Sequence, residues 1–311
     1  MYKVSIIITC FNSQETIKRS VNSALSQDWT NKEIIIIDDF STDKSIEILH
    51  SICNENPELI LLRNNSNIGY PASLNKAIIK TTGDFISIFD DDDDNLKSRI
   101  SMQVGKILEC EDKFKTNLLL CYSNRDVYKT NSIKLDHIAF AIGRKSPEPY
   151  GLEVAEYLLG FQVNHYKVWG MFGSCTLTLR REIFNDVGYF DESFLRCSEW
   201  DFAIRAAFKG AYFVAVNKSL IRMYKTPGKE KAGKIPLKFA LKLREKHKNF
   251  LESRNFYTTS KLIAKANFYF NKKKMMRGLF FKLLAFLYSP LLFRKSLESK
   301  ILKFNQFLKE Q

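Results

Sequence analysis

This 311-residue chain contains neither GxGxxG nor GxxxxGK[ST]. The commonest dinucleotide and nucleoside-triphosphate readings of an α/β chain are thereby removed. Its six cysteines (Cys10, Cys53, Cys110, Cys121, Cys175, Cys197) form no CxxC pair. That spacing argues against a zinc site or a disulfide framework and fits small core residues in a reducing cytoplasm. The four histidines (His50, His137, His165, His247) are scattered and suggest no metal or catalytic cluster. No apolar run reaches the roughly twenty residues of a membrane span. Gly278 to Phe293 has sixteen residues and is interrupted by Lys282 and Pro290. The apolar run Val4 to Cys10 is short and is followed by Asn12-Ser13-Gln14-Glu15, so no signal peptide is expected.

Acidic residues are scarce at one end. Residues 229–311 hold 21 Lys+Arg against 5 Asp+Glu, so the net charge of +14 resides there and residues 1–228 are near neutral. The expected organisation is a globular domain over 1–228 and a basic helical tail over 229–311. A polybasic tail suits an anionic membrane surface, nucleic acid or an acidic partner.

In the N-terminal half, short β-branched runs alternate with helical patterns. Lys3 to Cys10, Glu33 to Ile37, Leu59 to Leu62 and Phe85 to Phe89 read as buried strands. The segments at about 14–26, with Ser13 as its N-cap, at about 46–54 and at 72–80 read as the intervening helices. This alternation predicts an α/β fold with a doubly wound, mostly parallel sheet. Leu118 to Ser123 reads as a further strand and Asn131 to Tyr166 as irregular.

Acidic and hydroxyl residues gather where three of these strands end: Thr9, then Asp38 and Asp39, then the five aspartates Asp90 to Asp94. An Asp run alone reads as a solvated acidic turn. At the carboxyl ends of parallel strands, where such sheets bind ligands, carboxylates suit ribose hydroxyls, base N–H donors and hard divalent cations.

Four motifs in order carry a resemblance across about a hundred residues. They are Val4 to Asn12, Ile36 to Asp43 with Phe40 where Gly is usual, Asn67-Ile68-Gly69 with Leu74 to Ala77, and Thr82 to Ile100. Together they resemble the family 2 glycosyltransferases of GT-A fold. Val187 to Phe194 is similar to the family's GxFDE segment, and Ser198 to Arg205 to its EDWDLWLR block. The resemblance implies inverting hexosyl transfer from a UDP-sugar to a hydroxyl of a cell-surface glycan or lipid-linked precursor. By it, Thr9, Phe11, Asn12, Asp38, Asp39, Asn75, Asp90 and Asp91 bind the nucleotide sugar. Thr9, Phe11 and Asp39 are placed at uracil, Asp90 and Asp91 at ribose and diphosphate. Asp92, favoured by its spacing from Arg99, ligates Mn²⁺ or Mg²⁺. Glu199 is the general base, with Asp93 and Asp201 in support. Arg222-Met223-Tyr224 departs from the family's Arg-x-His.

The Gly278–Phe293 segment, flanked by Lys272 to Lys274, Arg277, Arg294 and Lys295, suits a peripheral helix on the inner face of the cytoplasmic membrane. A helical hairpin packed on the domain is the compatible alternative. A non-catalytic polyanion- or nucleic-acid-binding protein is the rival from another class, but no nucleic-acid module is visible and no nucleic-acid partner is expected. A sugar nucleotidyltransferase would need a Gly-rich basic loop after the first strand, which is missing.

Overall fold

The computed structural model describes residues 2–129, 134–160, 170–225 and 233–290. Strands β1 (Val4–Cys10), β2 (Lys32–Asp38), β3 (Leu59–Arg63) and β4 (Phe85–Asp90) alternate with helices α1 (Ile17–Leu25), α2 (Ser45–Glu55) and α3 (Tyr70–Lys80). The short β5 (Asp94–Asn95) leads into α4 (Arg99–Phe114), β6 (Leu119–Tyr128), β7 (Leu135–Ala139) and α5 (Leu152–Leu159). Then come β8 (Thr178–Arg180), α6 (Ile183–Val187), α7 (Ser198–Phe208) and β9 (Tyr212–Tyr224). The basic segment forms α8 (Ile235–Lys246), α9 (Lys248–Glu252), α10 (Tyr257–Asn271) and α11 (Met275–Tyr288).

One sheet has the order β3-β2-β1-β4-β8-β6-β9-β5, with β7 beside β6. The first four strands are mutually parallel, and β8 runs antiparallel between β4 and β6. β6 and β9 are again parallel. Alternate residues of the buried strands serve two cores. Ile6, Ile8, Ile34, Ile36, Phe85 and Phe89 pack with Ile17, Val21, Leu49 and Val104 of α1, α2 and α4. Ile7, Ile35, Ile37, Ile86 and Ile88 face the opposite way, toward α3, α5 and α7. Burial on both faces is why these strands read as continuous apolar runs.

Two local expectations are corrected. α1 starts at Ile17 after Thr16, and Ser13 does not cap it with its side chain. Instead the Ser13 carbonyl accepts the Thr16 and Ile17 N–H groups at 2.9 Å each. Its hydroxyl lies 3.0 Å from Cys10 Sγ. The stretch read as irregular contains β7 and α5. α5 buries Val154, Ala155, Leu158 and Leu159 between Gly151 and Gly160, both at positive φ, a short helical period with glycine punctuation. Parts of that stretch, 131–133 and 161–166, lie outside the described residues, as do 291–293 of the apolar run near the C-terminus.

The basic helices share the second core. Phe239, Leu243, Leu251, Phe256, Leu262 and Ile263 are buried in it. Arg244, 4% exposed, donates from Nε to the Ser260 carbonyl at 3.0 Å. α11 lies on α10 so closely that a Cβ at Gly278 would come within 2.5 Å of the Phe270 ring.

Candidate active site

The carboxyl ends of β1, β2 and β4 are brought level by register: Thr9 pairs with Asp90, and Cys10 with Asp38. After β1 the chain turns at Asn12, whose φ is +52°. Asn12 Oδ1 accepts the Thr42 N–H at 2.8 Å, and its own N–H donates to Ser41 Oγ at 3.0 Å, clipping two strand-end loops together. Phe40 occupies its usual-glycine position at φ +63°. Its ring and that of Phe11 stand exposed (42% and 46%) at the mouth of the loops. Flat exposed rings there suit stacking on a base.

Asp38 and Asp39 have different tasks. Asp39 accepts Asn64 Nδ2 and the Ile68 N–H on Oδ1, both at 2.9 Å, and the Gly69 N–H on Oδ2 at 2.8 Å. This carboxylate shapes the 64–69 loop, so its expected place at uracil meets oxygens that already hold three protein donors. Asp38 accepts the Ser41 N–H at 3.1 Å and lies 3.3 Å from Arg63 Nε, while its Oδ1 has no partner among the described residues. Asn75 stands apart from the strand ends. Its amide donates to the Phe190 carbonyl at 2.8 Å and to Glu192 at 3.0 Å, and its oxygen accepts the Phe190 N–H at 3.0 Å. It anchors the 188–194 turn to α3, with both atoms of its amide engaged by that turn.

The five aspartates occupy five environments. Asp91 accepts the Phe11 N–H at 3.0 Å. The Asp90 and Asp92 carbonyls take Ser20 Oγ at 2.7 Å and Arg19 Nη2 at 2.5 Å. Asp94 begins the strand that pairs with β9 opposite Arg222, whose Nη1 lies 3.3 Å from Asp94 Oδ2. That arginine of the non-standard Arg222-Met223-Tyr224 segment is thus held by the acidic run itself. Asp93 is 1% exposed, and among the described residues neither of its oxygens has a hydrogen-bond partner, nor does Asp90 Oδ1. Burial, reinforced by neighbouring aspartates, pushes the Asp90 and Asp91 carboxyls up to about 7 and Asp93 well above the usual range. Carboxylates so crowded ionise fully only when a cation joins them.

The residues fit such a cation. Ligand atoms of Asp90, Asp93 and Cys175 lie within 4.8 Å of one another, and the unpartnered oxygens are hard donors suited to Mg²⁺ or Mn²⁺. Asp92, the expected ligand, is not in that trio but is adjacent in the same turn. Cys175 closes the buried side. Its thiol is pushed up by burial, although Arg125 Nη1 donates to Sγ at 3.0 Å.

Glu199 lies in the first turn of α7, which starts after Cys197 at φ +66°. Burial raises its carboxyl above the ordinary glutamate value, against the lowering pull of its own backbone N–H and the Arg196 charge. A half-buried carboxylate with a raised value accepts a proton more readily than an exposed glutamate, as a general base must. It shares an electrostatic neighbourhood with the aspartates, since its charge helps to raise Asp90. Asp201 is two residues on but faces inward. It is wholly buried among Arg205 Nε (2.9 Å), Lys246 Nζ (2.8 Å) and His247 Nε2 (2.9 Å).

The sequence motifs miss Arg125 and Cys175. Arg125 lies in β6, and its charge pulls Asp90 and Asp93 back down. Asn124-Arg125-Asp126 interrupting an apolar strand was the available signal. Arg99, identified only as a spacing mark, is fully buried and donates to Asn95, Gln103 and the Ile88 carbonyl, bracing the aspartate turn from beneath.

A model of glycosyl transferase family 2 matches residues 5–188. The amylovoran biosynthesis glycosyltransferase AmsB of Erwinia amylovora is 24% identical over 258 residues, 82% of this chain and 80% of that protein. The UDP-Glc:alpha-D-GlcNAc-diphosphoundecaprenol beta-1,3-glucosyltransferase WfaP of Escherichia coli is 37% identical over 129 residues, 42% of this chain and 48% of the relative. The chain thus spans about half the length of several curated relatives it matches. Among solved structures, S. aureus TarS 1–349 in complex with UDP-GlcNAc superposes with a TM-score of 0.64 at 16% identity, covering 99% of this chain and 92% of that one. That likeness concerns the GT-A-type fold.

Proposed function

The chain belongs to glycosyl transferase family 2, and on that premise we propose that it moves a hexosyl residue from a UDP-sugar to a hydroxyl of a cell-surface glycan precursor with inversion. The observation that carries this reading is the half-buried Asp90 and buried Asp93 at the end of β4, where Asp90 Oδ1 and both Asp93 oxygens lack a hydrogen-bond partner among the described residues and the charge of a half-buried Glu199 acts on Asp90. Phe11 and Phe40 flank the uracil. Asp90 and Asp91 face the ribose and diphosphate. Glu199 accepts the acceptor proton while the hydroxyl oxygen attacks the anomeric carbon opposite the leaving UDP. Asp92, with Asp90 and Asp93, would hold Mn²⁺ or Mg²⁺, which when bound supplies charge to neutralise the departing diphosphate.

The donor class is supported by the UDP-GlcNAc named in the TarS complex and the UDP-Glc named for WfaP. The acceptor class is supported by WfaP, named for a diphosphoundecaprenol-linked sugar. A lipid-linked acceptor places the enzyme peripherally on the inner face of the cytoplasmic membrane. No helix among the described residues is long and apolar enough to cross it. Incubating the full chain with a panel of nucleotide sugars, Mn²⁺ or Mg²⁺ and lipid-diphosphate sugars, and measuring nucleotide release, tests the reading. UDP release from at least one UDP-sugar is expected; release from none overturns it.

A further inference from the structure

The outermost helix, α11, carries a face that the fold leaves uncovered by any described residue. Met276, Leu279, Phe280, Leu283 and Leu287 are 80%, 51%, 57%, 58% and 63% exposed. At roughly 100° per residue, they form one stripe along the helix. The opposite side is committed to the protein. Gly278 and Ala285 are buried, and the Phe281 ring stacks on Tyr269 at 5.5 Å and 3°. Arg277 and Lys282 fall on either flank of the stripe, roughly 100–120° from its centre by the same geometry. Exposed Lys272, Lys273 and Lys274 stand just before the helix.

Charge selects the occupant of this face. From Ser253 to Pro290 there are eight Lys+Arg and no Asp or Glu. A second copy packed face to face would bring two such segments together, with like charges along both edges. An anionic bilayer instead meets the apolar stripe with its acyl region and the flanking cations with its headgroups, where long basic side chains can snorkel. We propose that α11 lies in the plane of an anionic phospholipid surface, stripe downward, and is the element that docks this protein there. The proposal deepens the peripheral placement given above by naming the element and the lipid chemistry, and it does not depend on which sugar is transferred. α10 and α8 connect α11 through the shared core to α7, so docking would hold the catalytic domain in a set orientation.

The test is cosedimentation of the full chain with phosphatidylglycerol-containing vesicles and with pure phosphatidylcholine vesicles. Wild type should bind the anionic vesicles at low salt, at least tenfold more tightly than neutral ones, and keep measurable binding at high salt through the apolar contact. The double variant Leu279→Asp/Leu283→Asp should lose at least tenfold in vesicle affinity with unchanged circular dichroism and melting, since both side chains are exposed. A Lys272→Glu/Lys273→Glu/Lys274→Glu variant, also on the surface, should lose binding mainly at low salt. Equal binding of wild type and the Leu279/Leu283 variant overturns the proposal. So does a wild type that ignores anionic vesicles, or an oligomer in solution that the same variant dissociates. Vesicle binding without UDP release from any sugar nucleotide would leave this inference standing and overturn the transferase reading, and the converse result would do the reverse.

Discussion

His247, in the basic C-terminal segment, and Asp201, in the first turns of α7, are joined 2.9 Å apart in the buried interior. Lys246 reaches the same carboxylate at 2.8 Å and also bonds Asp191. α8 is therefore fastened to the helix that carries Glu199, and to the 188–194 turn beside it.

Asp201→Ala should destabilise the fold by about 3–5 kcal/mol, because three cationic or polar partners lose a wholly buried anion. Its carboxyl is held below the usual value by burial-opposing bonds from His247, Lys246 and Arg205. The stability it contributes is present above the ordinary Asp value near 3.8 and is lost as pH falls below it. Urea unfolding of wild type and variant between pH 3 and 7 checks both points. By the same contacts, truncation after Thr226 should yield an aggregating or unfolded product rather than a freed catalytic domain.

Glu199→Gln should lower the turnover rate about 10²–10⁴-fold while UDP affinity changes little. Since burial raises this carboxyl and the base works ionised, the wild-type rate should fall on acidification at a pH above that of an ordinary glutamate. A pH–rate profile with calorimetric UDP binding separates this from a structural role.

Asp93→Asn should make the metal-free protein more stable and the metal-bound one less so. Asp90 and Asp91 titrate at about 7 in the fold, and Asp93 is raised as well. The stability linked to their protonation is fully present below the unfolded value near 3.8 and is lost as pH rises toward and through 7. Melting temperatures in chelator should fall between pH 5 and 8 for wild type, fall less for Asp93→Asn, and recover with Mn²⁺ only in wild type. Asp92→Ala should weaken UDP binding in Mn²⁺ without changing the fold.

Asn75→Ala separates scaffold from ligand contact. Removing three bonds to Phe190 and Glu192 should cost about 2–3 kcal/mol, because the Phe190 N–H and carbonyl lose their partner inside the protein. UDP affinity measured well below the melting temperature should be unchanged. A large loss of affinity at unchanged stability would return Asn75 to the nucleotide site.

The sequence by itself determined the parallel half of the sheet and the strand ends that bear Thr9, Asp38 and Asp90. Strands buried on both faces need unbroken β-branched runs, and polar residues stop such a run where the strand leaves the core. It also determined that Glu199 heads a helix, because apolar period and acidic first turn are local signals. Only the tertiary structure decided which carboxylates are open. Asp39 and Asp38 are neighbours of the same type, yet Asp39 takes three donors from a loop some thirty residues away. Of five identical aspartates, Asp93 alone is buried with both oxygens lacking a partner among the described residues. Identical residues in a row carry no local information about exposure; the β5–β9 pairing and the turn braced by Arg99 supply it. Likewise, a basic composition describes the tail's outer surface but says nothing of Phe239, Leu243 and Phe256 inside the core. Charge is counted along the chain, whereas burial depends on which helix face meets its partner.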